Sequence, residues 1–242
     1  MMRNELFILA RKPLRALRSG RFWLSPVVAR LSPRHGMMMD AYRLEEEGRF
    51  DEALAFWKKL DGSGKSRSAT FRIALRRARL ALKAANYAEA AKEFDALFAL
   101  APDDVRVVRG LESASLRGAR EAQSKGQWLE ACRLWAAFGR ASAEAQKCLK
   151  NLAECARYVA QSADTPEKMG GALEAWGLLK SLDQHSQEAQ QGMEWCQLSL
   201  ARAAERASDP VTARTHWNAL LELSAGDQRA LDGLKRLDSA GA

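Results

Sequence analysis

Small and large apolar residues recur along the chain at the spacing of an α-helix. In five segments an alanine is followed four residues later by a large aromatic residue, and a further large apolar residue comes three positions after that. These pairs are Ala53 and Trp57, Ala90 and Phe94, Ala131 and Trp135, Ala172 and Trp176, and Ala213 and Trp217. Positions i, i+4 and i+7 lie on one face of a helix, so each segment predicts a helix with one buried face.

A second set of alanines precedes the first at a fixed distance of twelve residues. Its members are Ala41, Ala78, Ala119, Ala160 and Ala201. Turn signals such as Gly48 and Gly126 lie between the two alanines of a pair, and Pro166 and Pro210 supply the break in the last two segments. The pattern predicts five helix pairs, in which the small residue of the first helix lets the second helix approach closely.

The helix pairs form an internal repeat, because successive aromatic positions are 37, 41, 41 and 41 residues apart. A single pair cannot bury its apolar face, and stacking of neighbours supplies a continuous core. A glycine or asparagine followed by a large apolar residue recurs ahead of the later first-helix alanines, at Gly110, Asn151, Gly192 and Gly233. The last of these predicts a sixth first helix, from Asp227 to Leu237, that caps the C-terminal end.

These residues resemble the tetratricopeptide repeat family over roughly residues 34 to 225. The shared features are the small residue of the first helix, the glycine ahead of an aromatic residue in the turn, the alanine four residues before an aromatic in the second helix, and one closing proline, Pro102. The period is longer than the family's usual length of about 34 residues, so we expect added turns at the start of the first helices. The resemblance implies a right-handed α-solenoid whose first helices line a concave groove.

The positive charge of the chain is concentrated at its N-terminus. Residues 1–36 carry eight basic side chains against one acid, Glu5, whereas the whole chain has a formal net charge of +8. We therefore predict a basic arm over residues 1–36, five repeats over residues 37–225 and a capping helix over residues 226–242. The nearly neutral body disfavours nucleic acid as a partner.

The arm has the pattern of a basic amphipathic helix between Asn4 and Ser19, with apolar residues on one side and basic residues on the other. Such a helix fits an anionic membrane interface. The residues predicted to contact the membrane are Phe7, Arg11, Lys12, Leu14, Arg15, Arg18 and Trp23. Two alternatives stay open: a cleaved mitochondrial transit peptide, and a terminal helix that caps the solenoid.

Residues with the chemistry of a catalytic or metal site are sparse. The segment from Gly62 to Ser66 resembles the end of a phosphate-binding loop, but Lys59 stands where the full motif needs glycine, and a flexible linker is the alternative. No two cysteines have the spacing of a metal-binding pair, and we expect all four to be buried apolar residues. They are Cys132, Cys148, Cys155 and Cys196. We predict no catalytic residue, no metal site and no cofactor.

The resemblance also implies which side chains face the groove. The residue after each first-helix alanine faces it in the family, and positions one and two turns earlier share that face. With a tryptophan from the fifth first helix, the groove residues predicted in this way are Tyr42, Arg72, Arg76, Arg79, Arg117, Arg120, Gln161, Trp195 and Arg202. The arginines favour a partner with an acidic or phosphorylated segment. The alternative is that Glu45, Glu121 and Glu205 neutralise them.

The sequence thus predicts a non-enzymatic scaffold that binds a protein partner through its groove, in the cytoplasm and peripheral at the inner face of a membrane. Three alternatives belong to other classes. A nucleotide-dependent enzyme or regulator would use the segment from Gly62 to Ser66, and an organelle-targeted assembly factor would lose its arm in the mitochondrion. An RNA-binding helical repeat would bind with steep salt dependence, which the charge of the body disfavours.

Overall fold

The computed structural model describes residues 33–60, 65–142 and 144–240, which contain eleven α-helices and no strand. In chain order the helices are α1 Pro33–Glu47, α2 Phe50–Lys59, α3 Lys65–Lys83, α4 Tyr87–Leu100, α5 Val105–Ser124, α6 Trp128–Ala141, α7 Ala145–Gln161, α8 Pro166–Leu182, α9 Gln187–Arg206, α10 Pro210–Leu223 and α11 Gln228–Ala240. The prediction of an all-α chain of consecutive helix pairs is confirmed. The membrane-contact residues predicted in the arm, and Gly62 to Gly64, lie outside the described residues.

Ten helices form five pairs, which we number repeats one to five from α1–α2 to α9–α10. Each aromatic position lies on the second helix of its pair, and each first-helix alanine lies on the first. The remaining helix, α11, is the predicted sixth first helix, and it packs on α10. The predicted domain limits stay predictions.

The chain divides into two compact units, and the division falls inside α3, between Ile73 and Ala74. The described part of the first unit is α1, α2 and the first half of α3. Its core is built from Ala41, Leu44, Ala53, Trp57, Ala69 and Ile73. Small alanines from three helices surround one large indole, so this unit buries its core around Trp57.

In the second unit each helix from α4 to α11 packs on the next one along the chain. Second helices also touch across repeats, because α6 contacts both α4 and α8. The aromatic positions Phe94, Trp135, Trp176 and Trp217 are all buried. Nearest-neighbour packing of this kind is how helical repeats gain stability.

The turn inside four of the five repeats contains one residue with a positive φ at an equivalent position. Gly48 (79°), Ala85 (59°), Gly126 (69°) and Ser208 (56°) follow each other at the period of the repeat or twice that period. Glycine adopts this left-handed conformation without strain, whereas alanine and serine do not. Repeats two and five therefore have the same turn as repeats one and three at a higher conformational cost.

Repeat four divides its helical residues differently. Helices α5 and α9 have 20 residues and precede second helices of 14, whereas α7 and α8 have 17 residues each. Pro166 is the first residue of α8, and Thr165 before it is extended, with φ −123° and ψ 158°. A residue that precedes proline avoids the helical region. The first helix of repeat four therefore ends early, at Gln161.

Candidate functional site

The indole N–H of the aromatic position is bonded to a side chain of the first helix in three repeats. In the first unit, Trp57 Nε1 donates to Glu45 Oε1 at 2.7 Å. Arg72 donates to the same carboxylate through Nε at 3.0 Å and Nη2 at 2.6 Å. Its guanidinium also lies 5.3 Å from the ring centre of Tyr42 and 5.6 Å from that of Trp57. Glu45 is only 5% exposed, so this carboxylate is buried with both a donor and a cation.

The fifth repeat has the same arrangement. Trp217 Nε1 donates to Glu205 Oε1 at 3.1 Å, and Arg236 Nη2 from α11 donates to both oxygens of that carboxylate, at 3.1 Å and 3.2 Å. The Arg236 guanidinium lies 5.9 Å from the Trp217 ring centre. Each of these two carboxylates thus bonds to an indole of its own repeat and an arginine of the next first helix.

The third repeat uses a neutral acceptor in place of the carboxylate. Trp135 Nε1 donates to Gln123 Oε1 at 3.2 Å, and Gln123 Nε2 donates to Cys155 Sγ at 3.3 Å. In all three repeats the acceptor lies twelve residues before the tryptophan. The second repeat has Phe94 and Leu82 at these two positions, and neither side chain needs a partner.

The fourth repeat lacks this bond. Trp176 is 5% exposed, and its Nε1 has no hydrogen-bond partner within the described residues. The residue twelve positions earlier is Asp164, which lies beyond the end of α7 and accepts a hydrogen bond from Lys168 Nζ at 2.7 Å. Because α7 ends before this position, the side chain of Asp164 does not accept the hydrogen bond of the indole.

The aromatic rings of the second unit also explain the recurring glycines. A Cβ atom placed on Gly110 would lie less than 3.0 Å from the ring of Phe94, and the same holds for Gly192 with Trp176 and for Gly233 with Trp217. Each ring packs directly on the backbone of the next first helix. These three glycines are packing positions, where a Cβ atom would meet the ring, whereas α7 has Asn151 at the equivalent position.

An open cleft of about 390 Å³ lies between α7 and α9, where Trp176 meets Gly192. We name it the repeat-four cleft. Its lining residues are Arg157, Ala160, Gln161, Trp176, Glu188, Gln191, Gly192 and Trp195. It brings together two of the residues predicted for the groove, Gln161 and Trp195. Trp195 is 45% exposed.

The predicted groove arginines differ in how they are engaged. Arg72 donates two hydrogen bonds to Glu45, as predicted by the alternative in which acidic residues neutralise the arginines. Arg76 is also engaged in an interaction. By contrast, Arg79, Arg117, Arg120 and Arg202 are exposed, and no ion pair or hydrogen bond of their side chains occurs within the described ranges.

The acids that were expected to neutralise these arginines on the same helix are engaged elsewhere. Glu121 pairs with Lys125, and Glu205 pairs with Arg236. Arg117, Arg120 and Arg202 therefore keep an unneutralised charge at the surface. Tyr42, from the first unit, is 41% exposed and packs edge-on against Trp57 at 5.1 Å between ring centres.

Cross-repeat ion pairs join the second helices of the second unit. Arg140 Nη2 donates to Asp95 Oδ1 at 2.8 Å, and Arg133 donates to Glu174 through Nε at 2.7 Å and Nη2 at 2.9 Å. The hydrogen bonds from Arg133 lower the pKa of the Glu174 carboxyl below its ordinary value. These arginines serve neighbouring repeats, unlike the three unpaired arginines of α3 and α5.

The cysteines are all buried and unbridged, which confirms the prediction of buried apolar residues. Burial raises the pKa of the Cys148 thiol to about 11 and that of the Cys196 thiol to about 12, so both are protonated at neutral pH. A protonated, buried thiol is a poor nucleophile.

Two further properties concern metals and membranes. No group of three or more potential metal ligands occurs in residues 33–60, 65–142 and 144–240. Across the same stretches, none of the helices combines the length and the apolar character that a membrane crossing requires.

Comparisons with known proteins find matches among the solved structures. No protein-family model matches the sequence, and no curated protein matches it. The crystal structure of the tetratricopeptide repeat domain of P58(IPK) shares 14% identity over 85% of this chain and 55% of that chain, with a TM-score of 0.25. TTC0263, a thermophilic tetratricopeptide repeat protein of Thermus thermophilus, shares 18% identity over 86% of this chain and 98% of that one, with a TM-score of 0.24.

This chain therefore spans about half of the P58(IPK) structure. Because both superpositions are loose, the assignment of the architecture depends on the helix pairs themselves. The described part of the chain consists of consecutive helix pairs that resemble tetratricopeptide repeats in their alanine, aromatic and turn positions.

Proposed function

We propose that the protein is a non-enzymatic scaffold that binds a protein partner through first helices of its second unit. The observation that carries the proposal is the set of exposed, unpaired guanidinium groups on α3 and α5, those of Arg79, Arg117 and Arg120. Arg117 and Arg120 are three residues apart and share one face of α5. Arginines elsewhere in the second unit, such as Arg133, Arg140 and Arg157, are bonded to carboxylates.

The chemistry of these groups favours a partner with an acidic segment. A guanidinium presents a planar fork of donors that matches a carboxylate or phosphate. Several such groups at a surface attract an acidic chain and speed its association. The alternative of a phosphorylated segment uses the same contacts.

The test is the double charge reversal of Arg79→Glu and Arg120→Glu in the full chain. Partners are captured by affinity purification with cross-linking from the native cell, and the strongest is then measured in purified form. We expect its affinity to fall about tenfold or more, mainly through slower association, with unchanged helicity and melting. Lys92→Glu is the control, because Lys92 is an exposed, unpaired cation on a second helix. Wild-type affinity of the double variant would contradict the proposal.

The nucleotide alternative is tested separately. Lys65 and Ser66 belong to the first turn of α3, and the preceding glycines are those of the partial motif. Saturable binding of ATP or GTP at millimolar concentration would favour the alternative, whereas no binding would leave the segment as a linker.

Attachment to a membrane rests on the sequence of the arm. We expect the full chain to sediment with vesicles that contain anionic lipid, and less so at high salt, because screening acts over about 8 Å at physiological ionic strength. Replacing Arg11, Lys12, Arg15 and Arg18 by glutamine should weaken attachment to anionic vesicles selectively. A mature chain that begins near Met37 in the cell would favour the transit-peptide alternative.

A further inference from the structure

Repeat four lacks both groups that cover the indole in repeats one and five. In those repeats a glutamate accepts from the indole N–H, and an arginine of the next first helix lies over the ring. Repeat four has no acceptor for Trp176 Nε1 among the residues that the structure describes. At the position that Arg236 holds nineteen residues after Trp217, the chain has Trp195 after Trp176. The repeat-four cleft occupies this uncovered place.

The missing acceptor follows from the sequence through Pro166. Proline forces Thr165 into an extended conformation, and α7 ends at Gln161, so Asp164 lies outside the helix. A buried donor without a partner is rare in native proteins, and a partner molecule that supplies the acceptor removes its desolvation penalty. Trp176, which carries this donor, and the exposed Trp195 both line the repeat-four cleft.

We propose that the repeat-four cleft binds the carboxamide of a glutamine or asparagine side chain from a partner protein. The carboxamide oxygen accepts the hydrogen bond of Trp176 Nε1, in the role that Gln123 has towards Trp135 in repeat three. The plane of the amide packs on the exposed indole of Trp195. This inference rests on the proposed function as a scaffold. It adds a second, uncharged contact to the exposed side chains of Arg79, Arg117 and Arg120, which we name the arginine surface.

A carboxamide suits the cleft better than a carboxylate. The two carboxylates that accept from an indole each have an arginine beside them, whereas the acceptor without an arginine is the amide of Gln123. The single cation that lines the cleft is Arg157, and Glu188 already binds it through two hydrogen bonds. A carboxylate would enter without a free counter-charge, which is costly in a partly buried site.

Access to the indole passes the side chains at the mouth of the cleft. Gln161 and Gln191 line it and are exposed, so they can change rotamer without breaking the core. The backbone of Gly192 packs directly on the indole and leaves no room on that side. Because Trp176 Nε1 is buried, the carboxamide reaches it only when Gln161 or Gln191 moves aside.

The experiment uses the full chain with ¹⁵N-labelled indoles, in which each of the seven tryptophans gives one N–H resonance. The probe is N-acetyl-glutamine N-methylamide. We expect the Trp176 resonance to shift downfield and the Trp195 resonance to shift with it, because the amide packs on that ring, while the other indoles stay unchanged. Both shifts should saturate with a dissociation constant on the order of 1–10 mM, as is usual for so small a ligand. The matched probes are the glutamate and norleucine analogues, which share the backbone amides. The glutamate analogue should bind at least about tenfold more weakly and the norleucine analogue should cause no shift.

Two variants assign the effect to the cleft. Trp176→Phe removes the donor and keeps a ring that the second repeat already accommodates as Phe94, so probe binding should vanish, as judged from the Trp195 resonance. Trp217→Phe alters an indole with its own acceptor and should leave probe binding unchanged. Equal shifts with the glutamine and norleucine probes, or no shift at Trp176, would overturn the proposal.

The partner assay separates this inference from the proposed function. If Trp176→Phe keeps wild-type affinity for the partner while Arg79→Glu with Arg120→Glu loses it, the cleft is excluded and the scaffold stands. If the probe binds and Trp176→Phe weakens the partner several-fold, the cleft is supported. If the charge reversal has no effect although the probe binds, the arginine surface is excluded and the cleft stands.

Discussion

At the residue scale, the environment of a buried indole N–H differs among otherwise equivalent positions. Trp57, Trp135 and Trp217 each have an acceptor twelve residues earlier, and Trp176 has none in the described part of the chain. An unsatisfied buried donor costs about 1–3 kcal/mol. The same substitution should therefore have different consequences at Trp176 and at Trp217.

We predict that Trp176→Phe changes the free energy of unfolding little, because the loss of apolar area is offset by removal of the unsatisfied donor. Trp217→Phe breaks a hydrogen bond and leaves Glu205 half-buried with fewer partners, so it should be about 1–2 kcal/mol more destabilising. Denaturant titrations followed by circular dichroism compare the two midpoints. Equal losses of stability would show that the indole bonds contribute nothing.

The positive-φ turn residues give a second prediction at this scale. Ala85 (φ 59°) stands where repeats one and three have glycine. A left-handed conformation costs a non-glycine residue about 1 kcal/mol or more, so Ala85→Gly should stabilise the protein by about 0.5 kcal/mol after the flexibility of glycine in the unfolded chain is counted. Ala96→Gly, at an exposed helical position of α4, should instead destabilise it by about 1 kcal/mol. Thermal melting of both variants tests the difference in sign.

At the element scale, the helix pairs and their order follow from the sequence, and so does the role of the prolines as breaks. The last helix was also predicted, because Gly233 and Leu234 repeat a pair of residues that recurs in the earlier first helices. The cleft was not predicted. Pro166 signalled a turn, but its effect on Trp176 becomes evident only when the indole acceptors of the other repeats are known. Glu45, Gln123 and Glu205 share the spacing of twelve residues to a tryptophan, and that spacing was the available signal.

The packing of the aromatic rings against glycine is a second feature that the sequence period did not predict. The sequence shows Gly192 as a recurring small residue, whereas the structure shows that the ring of Trp176 lies against it. Which ring meets which glycine depends on the distance between neighbouring helices, and that distance is set by tertiary packing. Likewise, the hydrogen bonds from Arg72 to Glu45 join two residues that are 27 positions apart in the sequence and lie on different helices.

Two glycine substitutions test this packing. Gly192→Ala would bring a Cβ atom to 2.5 Å from the ring of Trp176, so we expect a loss of about 2–3 kcal/mol as the ring is displaced. Gly177→Ala lies inside α8 with nothing within 4 Å of the new atom, so it should stabilise the helix by about 0.5–1 kcal/mol. Denaturant titrations of the two variants measure both changes in the free energy of unfolding, which should have opposite signs. A neutral Gly192→Ala would show that the ring and α9 separate without cost.

At the scale of the whole molecule, the second unit depends on contacts between neighbours. Its last core cluster combines α9 and α10 with Ala230 of α11, and Leu234 and Leu237 pack against it. Arg236 of α11 also holds the carboxylate that accepts from Trp217. The last helix therefore covers the end of the core with both apolar and ionic contacts.

We predict that a chain that ends at Leu223 melts at a lower temperature than the full chain and exposes apolar surface to a hydrophobic dye. Hydrogen exchange should speed up most in α9 and α10, because the energetic coupling falls off with distance in stacked repeats. The amides of α4 to α6 should be protected as before. A uniform rise of exchange across α4 to α10 would mean that the second unit unfolds as one cooperative block.

The changed helix boundary of repeat four has a consequence for design. Repeats three and five divide 34 helical residues as 20 and 14, and repeat four divides the same number as 17 and 17. One proline at the junction therefore relocates a turn without lengthening the chain. Lys125 is the position in repeat three that corresponds to Pro166. A proline placed there should shorten α5, withdraw Gln123 from Trp135 and open a second cleft of the same kind, so one residue can move this helix boundary from one repeat to another.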